Sequence, residues 1–457
     1  MLPRLDKSSS SFNSSLRYLS IPKVVIKLGL SQVARAGCSL PHPNNSTQRL
    51  ALPAIVMAEA KSSSIPEFEA TGLDEIPNIA DTLRTTFKTH KTKDVEFRLK
   101  QLRKVYHAIV DNTSLIQDAL YQDLHLCKYE ADLVEVDVIL SDLRFAIKNL
   151  ETWVKDEPVA GIHPMFYAMK HHTRKEPLGT VLIIGPYNFP FQLNLLPLFG
   201  AIAAGCTAVV KPSESAPRSA MVLQRILGAS LDPTAYRIVN GGIEESKALL
   251  EEKWDKIFYT GGAEVGKIVA MQAAKTLTPV VLELGGMNPA FVTKNASISV
   301  AARRMMWAKT MVAGQVCLTQ NYCLVERSVV KELILALQES YSAMFPKGAK
   351  ESPDYGRVIN KRQFLRIKKM VDESGGKIVL GGAMDESELF IEPTVVLVES
   401  PEDSLITGET FGPVFSILPY DSLEHAINTA NEIYPTPLAL YAFGNSSECM
   451  QSKHTPQ

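Results

Sequence analysis

Two reactive side chains stand beside glycine in the middle of the 457-residue chain. Glu283 ends an apolar run, Val280 to Leu282, that predicts a buried strand, and two glycines follow shortly after it. We expect a carboxylate there to be partly desolvated, which raises the pKa of a glutamate and suits a general base near neutral pH. Cys317 follows Gly314 and small neighbours that leave its sulfur reachable, so it is a candidate nucleophile.

Each of these residues also has an ordinary explanation. A lone cysteine is most often a small buried hydrophobe, and a lone glutamate usually belongs to a solvated face. The functional interpretation is favoured because the two residues occur together, and because several loops with suitable chemistry accompany them.

The stretch 178–210 carries no charged residue, but its prolines and glycines argue against a membrane span. We predict a buried strand at 180–184, a tight loop at 185–190, a helix at 193–204 and a second strand at 207–210. This is a βαβ unit, which requires a parallel sheet.

Asn188 lies on the tight loop of this unit, within Gly-Pro-Tyr-Asn-Phe-Pro. Its side-chain amide can act as a preorganised hydrogen-bond donor for an oxygen that becomes negative when a nucleophile attacks a carbonyl. The alternative is a turn asparagine, which is common in such loops.

Two segments that follow strands predict a nucleotide site. Lys211 and Glu214 come after the 207–210 strand, at the carboxyl end where open α/β sheets bind nucleotides. The lysine can donate to ribose hydroxyls, and the glutamate can accept from them or repel a 2'-phosphate. A further strand, 256–259, leads into a glycine-rich turn where a phosphate can approach a helix N-terminus. The turn residues assigned to the cofactor are Thr260, Gly261, Gly262 and Gly266.

The composition is that of an ordinary globular protein, with 46% hydrophobic and 21% charged residues. A formal net charge of -1 argues against nucleic acid as a general partner. The six cysteines are scattered without paired spacing, so neither a disulfide framework nor a metal site is expected. Cys323 falls in a predicted strand core and is assigned no chemistry. The chain length favours two packed domains.

Residues 1–57 have a targeting-type composition, with seven basic residues, many serines and a single acid, Asp6. The segment resembles a mitochondrial presequence. The alternatives are a disordered tail, or an extension upstream of a start at Met57. We therefore expect a mitochondrial or cytoplasmic location.

Amphipathic patterns predict scaffold helices over 76–121 and 129–153. The linking segment at about 157–176 contains three histidines that we interpret as surface residues. After Cys317 we predict helices at 328–342 and 357–372. The later strands are predicted at 377–380, 392–398, 415–418 and 438–443.

Four segments resemble the signatures of the aldehyde dehydrogenase superfamily. They are Glu283-Leu284-Gly285-Gly286, Gly314-Gln315-Val316-Cys317, the Asn188 loop and Gly408-Glu409-Thr410-Phe411-Gly412-Pro413-Val414-Phe415. Where the family has a lysine after the glycine pair, this chain has Met287. The resemblance covers roughly 75–457, and its overall spacing is most similar to the class 3 or fatty aldehyde dehydrogenase branch.

The resemblance implies catalytic roles for three residues. Cys317 would be the nucleophile, Glu283 the general base, and Asn188 the donor that forms an oxyanion hole with the backbone N–H of Cys317.

It also implies a bound NAD or NADP. Lys211 and Glu214 would contact the adenosine ribose, the Thr260 turn would lie at the pyrophosphate, and Leu284 would line the cofactor site. Glu409 would hold the nicotinamide ribose, and Phe411 would pack near the nicotinamide.

The implied architecture is α/β, with a Rossmann-type parallel-sheet cofactor domain at 58–284 and a second α/β catalytic domain at 285–457. Relatives would continue for several tens of residues, so we expect a C-terminally truncated chain. A homodimer is expected if the C-terminus permits one, and no transmembrane anchor is expected.

The implied activity is the NAD(P)-dependent oxidation of an aldehyde to the carboxylic acid, through a cysteine thiohemiacetal and a thioester. The branch favours medium- and long-chain apolar or aromatic aldehydes, including fatty aldehydes and apocarotenals. Two alternatives remain open: a relative that makes acyl-CoA or acyl phosphate, and an inactive or regulatory truncated isoform.

Overall fold

The structure is a computed structural model that describes residues 64–169 and 171–452. The targeting hypothesis for residues 1–57, and the start at Met57, concern a segment outside the described residues.

Within the described residues, helices and strands alternate along most of the chain. The helices, α1 to α14, are Glu75–Lys88, Val95–Asp111, Thr113–Leu124, Lys128–Ala131, Asp137–Trp153, Gln192–Ala204, Pro217–Ser230, Ile243–Glu251, Ala263–Lys275, Ile298–Thr310, Val330–Met344, Lys361–Glu373, Leu423–Ile433 and Ser446–Gln451. The strands, β1 to β15, are Glu157–Pro158, His172–Thr173, Thr180–Ile184, Thr207–Lys211, Tyr236–Ile238, Lys256–Gly261, Val280–Leu284, Asn288–Val292, Gln320–Glu326, Lys377–Leu380, Met384–Asp385, Phe390–Ile391, Thr394–Leu397, Val414–Tyr420 and Tyr441–Phe443.

The first sheet has five strands in the order β5-β4-β3-β6-β7, and every neighbouring pair is parallel. The predicted βαβ unit is confirmed, because β3 and β4 pair in parallel and α6 connects them. Both strands are buried along their whole length, as expected for runs of Val, Ile and Leu covered on both faces of a parallel sheet.

Alternate residues of β3 enter different cores. Val181 and Ile183 join a cluster with apolar residues of α2, α3, α5, α6 and α7. Leu182 and Ile184 join a second cluster, with residues of α1, α8 and α9. Because successive side chains of a strand point to opposite faces, helices pack on both sides of this sheet. The amphipathic N-terminal helices are therefore scaffold, as predicted.

The second sheet has six strands in the order β10-β13-β14-β9-β8-β15. It is parallel except for the antiparallel β10–β13 pair at one edge. Cys323 lies fully buried in β9, with its Sγ 3.4 Å from the Sδ of Met305. The structure thus has two sheets of α/β type, in agreement with the predicted fold class.

Strand β7 differs from the prediction. We expected Val280 to Leu282 to be buried, but these residues are only partly buried and Glu283 is exposed. The reason is topological, because β7 is the edge strand of its sheet and has a neighbour on one side only. The three linking-segment histidines are exposed, as predicted.

Candidate active site

One cavity of about 640 Å³ collects most of the residues singled out in the sequence. The three predicted catalytic residues, Asn188, Glu283 and Cys317, all line it. The predicted cofactor residues that line it are Lys211, Glu214, Thr260, Gly261, Gly262, Leu284, Glu409 and Phe411. These positions are separated by more than two hundred residues of sequence, and only the tertiary fold brings them to one place.

The cavity lies at the carboxyl ends of four parallel strands. The last residues of β3, β4, β6 and β7 all line it. Parallel pairing brings these ends to one edge of the sheet. Ile184 lies opposite Lys211, and Gly261 lies opposite Leu284, two residues beyond the pair of Ile184 and Tyr259. Loops that precede β9 and β14 of the second sheet supply the other wall. This edge is where open parallel sheets bind ligands.

Cys317 follows an irregular turn between α10 and β9. Val312, Ala313 and Gly314 adopt left-handed φ angles of 51°, 50° and 71° in succession. A Cβ on Gly314 would lie 2.2 Å from the backbone oxygen of Gly412, so the glycine permits a close approach of backbone to backbone. The turn thereby joins the cysteine segment to the loop that precedes β14.

The pKa of the Cys317 thiol is raised to about 11. Burial is the largest cause, and the nearby carboxylates of Glu409 and Glu283 act in the same direction. Backbone N–H groups of Cys317 and Leu318 oppose this rise. The side chain is nevertheless partly exposed, so the sulfur is reachable as predicted. In the protein alone, the thiol is therefore protonated at neutral pH.

Asn188 is buried in the loop between β3 and α6, with 2% of its surface exposed. Its Nδ2 donates to the backbone oxygen of Gln315 at 2.9 Å. This bond ties the asparagine loop directly to the segment two residues before Cys317. A primary amide carries two N–H donors, so one bond to the protein uses only half of its capacity.

Glu283 corrects one expectation from the sequence. Its side chain is exposed rather than partly desolvated, because β7 is an edge strand. The burial on which that expectation rested is therefore not present. The carboxylate still lines the cavity and acts electrostatically on Cys317.

Lys211 lies at the end of β4 with 3% of its surface exposed. Its Nζ donates to the carboxylate of Glu214 at 3.0 Å and to the oxygen of Pro212 at 3.1 Å. A nearly buried ammonium held beside a carboxylate at a strand end offers both a donor and an acceptor to a polar ligand.

The predicted glycine-rich turn joins β6 to α9. A Cβ on Gly262 would meet no atom within 4 Å, so this position leaves open space at the start of the helix. Gly266 is placed differently, because it lies inside α9 and outside the lining of the cavity. A Cβ there would lie 2.7 Å from Leu284, so Gly266 lets α9 pack closely on β7.

The glycine pair after Glu283 accommodates Glu409. The Oε1 of Glu409 accepts from the N–H of Gly286 at 3.0 Å. A Cβ on Gly285 would lie 2.0 Å from the Oε2 of Glu409. Burial raises the pKa of Glu409, and the N–H of Gly286 and the charges of Lys309 and Arg366 oppose that rise. The Phe411 ring packs edge-on against Tyr187, with centroids 5.9 Å apart.

Sequence reasoning missed two cations beside the loop that carries Glu409. Arg366 lines the cavity and donates to the backbone oxygens of Glu409 at 2.9 Å and Thr410 at 2.6 Å. Lys309 is 1% exposed, and its Nζ donates to the Gly412 oxygen at 3.1 Å. Burial lowers the pKa of Lys309 to about 7. The cluster of basic residues in the predicted helix 357–372 was a usable signal for Arg366, whereas no local pattern distinguishes Lys309 from a solvated lysine.

These features fit a dinucleotide. The cavity combines glycine-lined backbone at a helix start, a buried lysine at a strand end and an aromatic pair near the cysteine. Residues 64–169 and 171–452 contain no cluster of side chains suited to a metal ion. In the same part of the chain, no helix has the length and apolar character needed to cross a membrane.

Comparison with known proteins gives consistent results. The model of the aldehyde dehydrogenase family matches residues 53–451. The chain is 55% identical to the beta-apo-4'-carotenal oxygenase of Gibberella fujikuroi over 387 residues. The aligned region covers 85% of this chain and 72% of the relative. It is 39% identical over 377 residues to the dimeric NADP-preferring aldehyde dehydrogenase of Rattus norvegicus, covering 82% of each. The solved substrate-bound state of Staphylococcus aureus AldH is similar, with a TM-score of 0.80, 38% identity, and 84% of this chain and 83% of that chain covered.

Proposed function

The chain belongs to the aldehyde dehydrogenase family, and on that premise we propose that Cys317, Asn188 and Glu283 carry out the oxidation of an aldehyde to a carboxylic acid. The observation that carries this assignment is the cavity that all three side chains line. The class 3 relationship and the NAD(P)-dependent activity follow from the family, whereas the residue roles are our proposal.

The reaction begins when the Cys317 thiol loses its proton to water in the cavity and its sulfur bonds to the aldehyde carbon, so that the carbonyl oxygen becomes an oxyanion. The Asn188 amide and the backbone N–H of Cys317 would donate to that oxygen. The hydrogen bond from Asn188 to Gln315 supports this role, because it holds the amide beside the cysteine segment.

When bound, NAD or NADP would supply a hydride acceptor and a positive charge that favours the thiolate, whereas the protein alone keeps the thiol protonated. Lys211 and Glu214 would hold the adenosine ribose, and the turn of Thr260 to Gly262 would contact the pyrophosphate. Glu409 and Phe411 would orient the nicotinamide end. Loss of the hydride from carbon converts the thiohemiacetal to a thioester on Cys317.

Glu283 would then take a proton from water as the water attacks the thioester carbon, and would return that proton to the departing Cys317 sulfur. This releases the carboxylic acid and the Cys317 thiol. The exposure of Glu283 supports this role, because water reaches the carboxylate directly.

We propose an apolar aldehyde of medium or long chain, or an aromatic one, as substrate, with fatty aldehydes and apocarotenals as the leading classes. The support is the similarity to a fungal relative whose name specifies an apocarotenal.

The experiment is NADH or NADPH formation by the purified protein across a panel of alkyl, aromatic and apocarotenoid aldehydes. Cys317→Ala should abolish turnover, and Cys449→Ala, at another partly exposed cysteine, should retain it. Full turnover by Cys317→Ala would remove the mechanism.

Glu283→Gln should form the thioester and release one equivalent of reduced cofactor, and then stall. Glu151→Gln changes an exposed glutamate of α5 in the same way and should turn over normally. Steady hydrolysis by Glu283→Gln would exclude Glu283 as the base. A requirement for CoA or phosphate would instead favour an acyl-transferring relative.

Assembly, location and domain division are also proposals. We propose a homodimer, supported by the rat relative that is described as dimeric, and light scattering of the purified protein tests it. We propose a mitochondrial or cytoplasmic location, which import of a fusion of residues 1–57 tests. The two sheets support a division into a cofactor domain, 58–284, and a catalytic domain, 285–457.

A further inference from the structure

Two glutamates on one short segment reach the two loops that carry Asn188 and Cys317. Glu130 lies in α4, and Glu135 lies in a π-helical turn, Asp132–Val136, that links α4 to α5. Glu135 is 0% exposed and Glu130 is partly buried. The roles proposed above for the cavity use neither residue.

Glu130 contacts the strained turn before Cys317. Its Oε1 accepts from the N–H of Val312 at 2.6 Å. Val312 is β-branched and has a left-handed φ of 51°, an unfavourable conformation that persists only where the surroundings enforce it. Glu130 therefore supplies an acceptor at the first residue of the run of positive φ angles that leads to the cysteine.

Glu135 contacts the end of the asparagine loop. Its Oε1 accepts from the N–H of Phe191 at 3.2 Å, and its Oε2 accepts from the N–H of Gln192 at 2.5 Å. These are the N-cap and first residues of α6, and Phe191 has no side-chain cap of its own. A carboxylate at a helix N-terminus is favoured by the helix dipole. Glu135 thus caps α6 from outside the helix and sets where the loop of Asn188 ends.

The π-helical turn explains how one segment contacts both loops. In an α-helix, residues five apart are separated by roughly 140° around the axis. A π-helical turn contains one additional residue, which reduces that separation. Its i→i+5 hydrogen bond is present, from the N–H of Asp137 to the oxygen of Asp132. Glu135 is thereby rotated toward the side of the helix that Glu130 occupies.

The two loops are also bonded to each other, through the Asn188 amide and the Gln315 oxygen. We propose that Glu130 and Glu135 are positioning residues that together set the distance between the Asn188 amide and the Cys317 sulfur. This inference rests on the catalytic roles proposed above. It assigns the oxyanion geometry to a segment more than fifty residues before Asn188.

The number of oxygens that each glutamate uses provides a specific test. Glu130 accepts from one backbone N–H, and a glutamine can replace that acceptor. Glu135 accepts with both oxygens, and a glutamine would turn its own NH2 group toward a backbone N–H. Glu130→Gln should therefore retain most of the kcat that Glu130→Ala loses, whereas Glu135→Gln should behave like Glu135→Ala.

We expect Glu130→Ala and both Glu135 variants to lower kcat by roughly 10- to 100-fold, because small displacements of reacting groups have effects of that size. The dissociation constant for NAD or NADP should stay within about twofold of the unchanged protein, since the cofactor contacts lie elsewhere in the cavity. Asp137→Ala, at an exposed residue of the same segment, is the matched control. Burial raises the pKa of Glu130 to about 7 and that of Glu135 to about 8, so assays at pH 9 keep both ionised.

Three results would overturn the inference. The first is kcat equal to that of Asp137→Ala in all variants. The second is equal behaviour of the two glutamine variants. The third is a parallel loss of kcat, cofactor binding and thermal stability, which would indicate a purely structural role. Should an alanine variant fail to fold, the comparison of the two glutamine variants still decides. Failure of the proposed function is distinguishable, because it would appear as turnover by Cys317→Ala whatever the glutamate variants do.

Discussion

The reactivity of Cys317 toward iodoacetamide can be derived from its surroundings. With a pKa of about 11, roughly one thiol in a thousand is ionised at pH 8, against roughly one in four for a free cysteine of pKa about 8.5. A thiolate of higher pKa is also intrinsically more nucleophilic, with a Brønsted slope of about 0.4–0.5. This makes the Cys317 thiolate roughly tenfold more reactive than that of free cysteine, which partly compensates for its smaller ionised fraction. The cofactor-free protein should therefore be alkylated at Cys317 about 20-fold more slowly than free cysteine at pH 8.

The assay is the rate of carbamidomethylation of Cys317 between pH 7 and 10, followed by mass spectrometry of the peptide. The rate should increase about tenfold per pH unit across this range, because the thiol stays mostly protonated throughout. Glu409→Gln should raise the rate at each pH, since it removes the carboxylate that acts most strongly on the thiol. Glu151→Gln should leave it unchanged. A plateau by pH 8 in the cofactor-free protein would refute the reasoning.

Three further predictions concern other residues of the site. Lys309→Met should flatten the pH dependence of the free energy of unfolding between pH 7 and 10, as measured by urea titration. In that window the lysine is protonated in the unfolded chain but not in the folded protein, so the free energy of unfolding of the unchanged protein rises by up to about 1.4 kcal/mol per pH unit. Identical slopes for the unchanged protein and Lys309→Met would contradict this prediction. Gly314→Ala should destabilise the protein more than Gly348→Ala. Both glycines have positive φ, which costs an alanine about 1–2 kcal/mol. Only at Gly314 would the new Cβ also lie 2.2 Å from a backbone oxygen. Equal melting temperatures of the two variants would disprove the clash. Asn188→Ala should lower kcat by about 10²- to 10³-fold without weakening cofactor binding, and an unchanged kcat would exclude it from the oxyanion hole.

Much of the site was predictable because its residues stand at the ends of short apolar strands. Lys211, Thr260 and Glu283 each fall at a strand's carboxyl end, and parallel pairing brings all three to the same edge of the sheet. Strand periodicity is a local property, so it can be recognised in one sequence. The same logic predicted β3, α6 and β4 to within a residue or two.

The electrostatic environment was not predictable in this way. Glu283 was expected to be desolvated but is exposed, because its strand lies at the edge of the sheet. Arg366 and Lys309 were not singled out in the sequence, yet both support the loop of Glu409 and Thr410. Each of these outcomes depends on which strands and loops become neighbours.

By itself, the sequence determined the residue types for the chemistry, the strands and helices that carry them, and the α/β class. The tertiary structure alone decided which carboxylates are buried, how high the Cys317 pKa is raised, and that Glu130 and Glu135 reach the two catalytic loops. The physical reason is that secondary structure responds to neighbours along the chain. Burial and electrostatic potential are instead sums over atoms that are distant in sequence and meet only after folding.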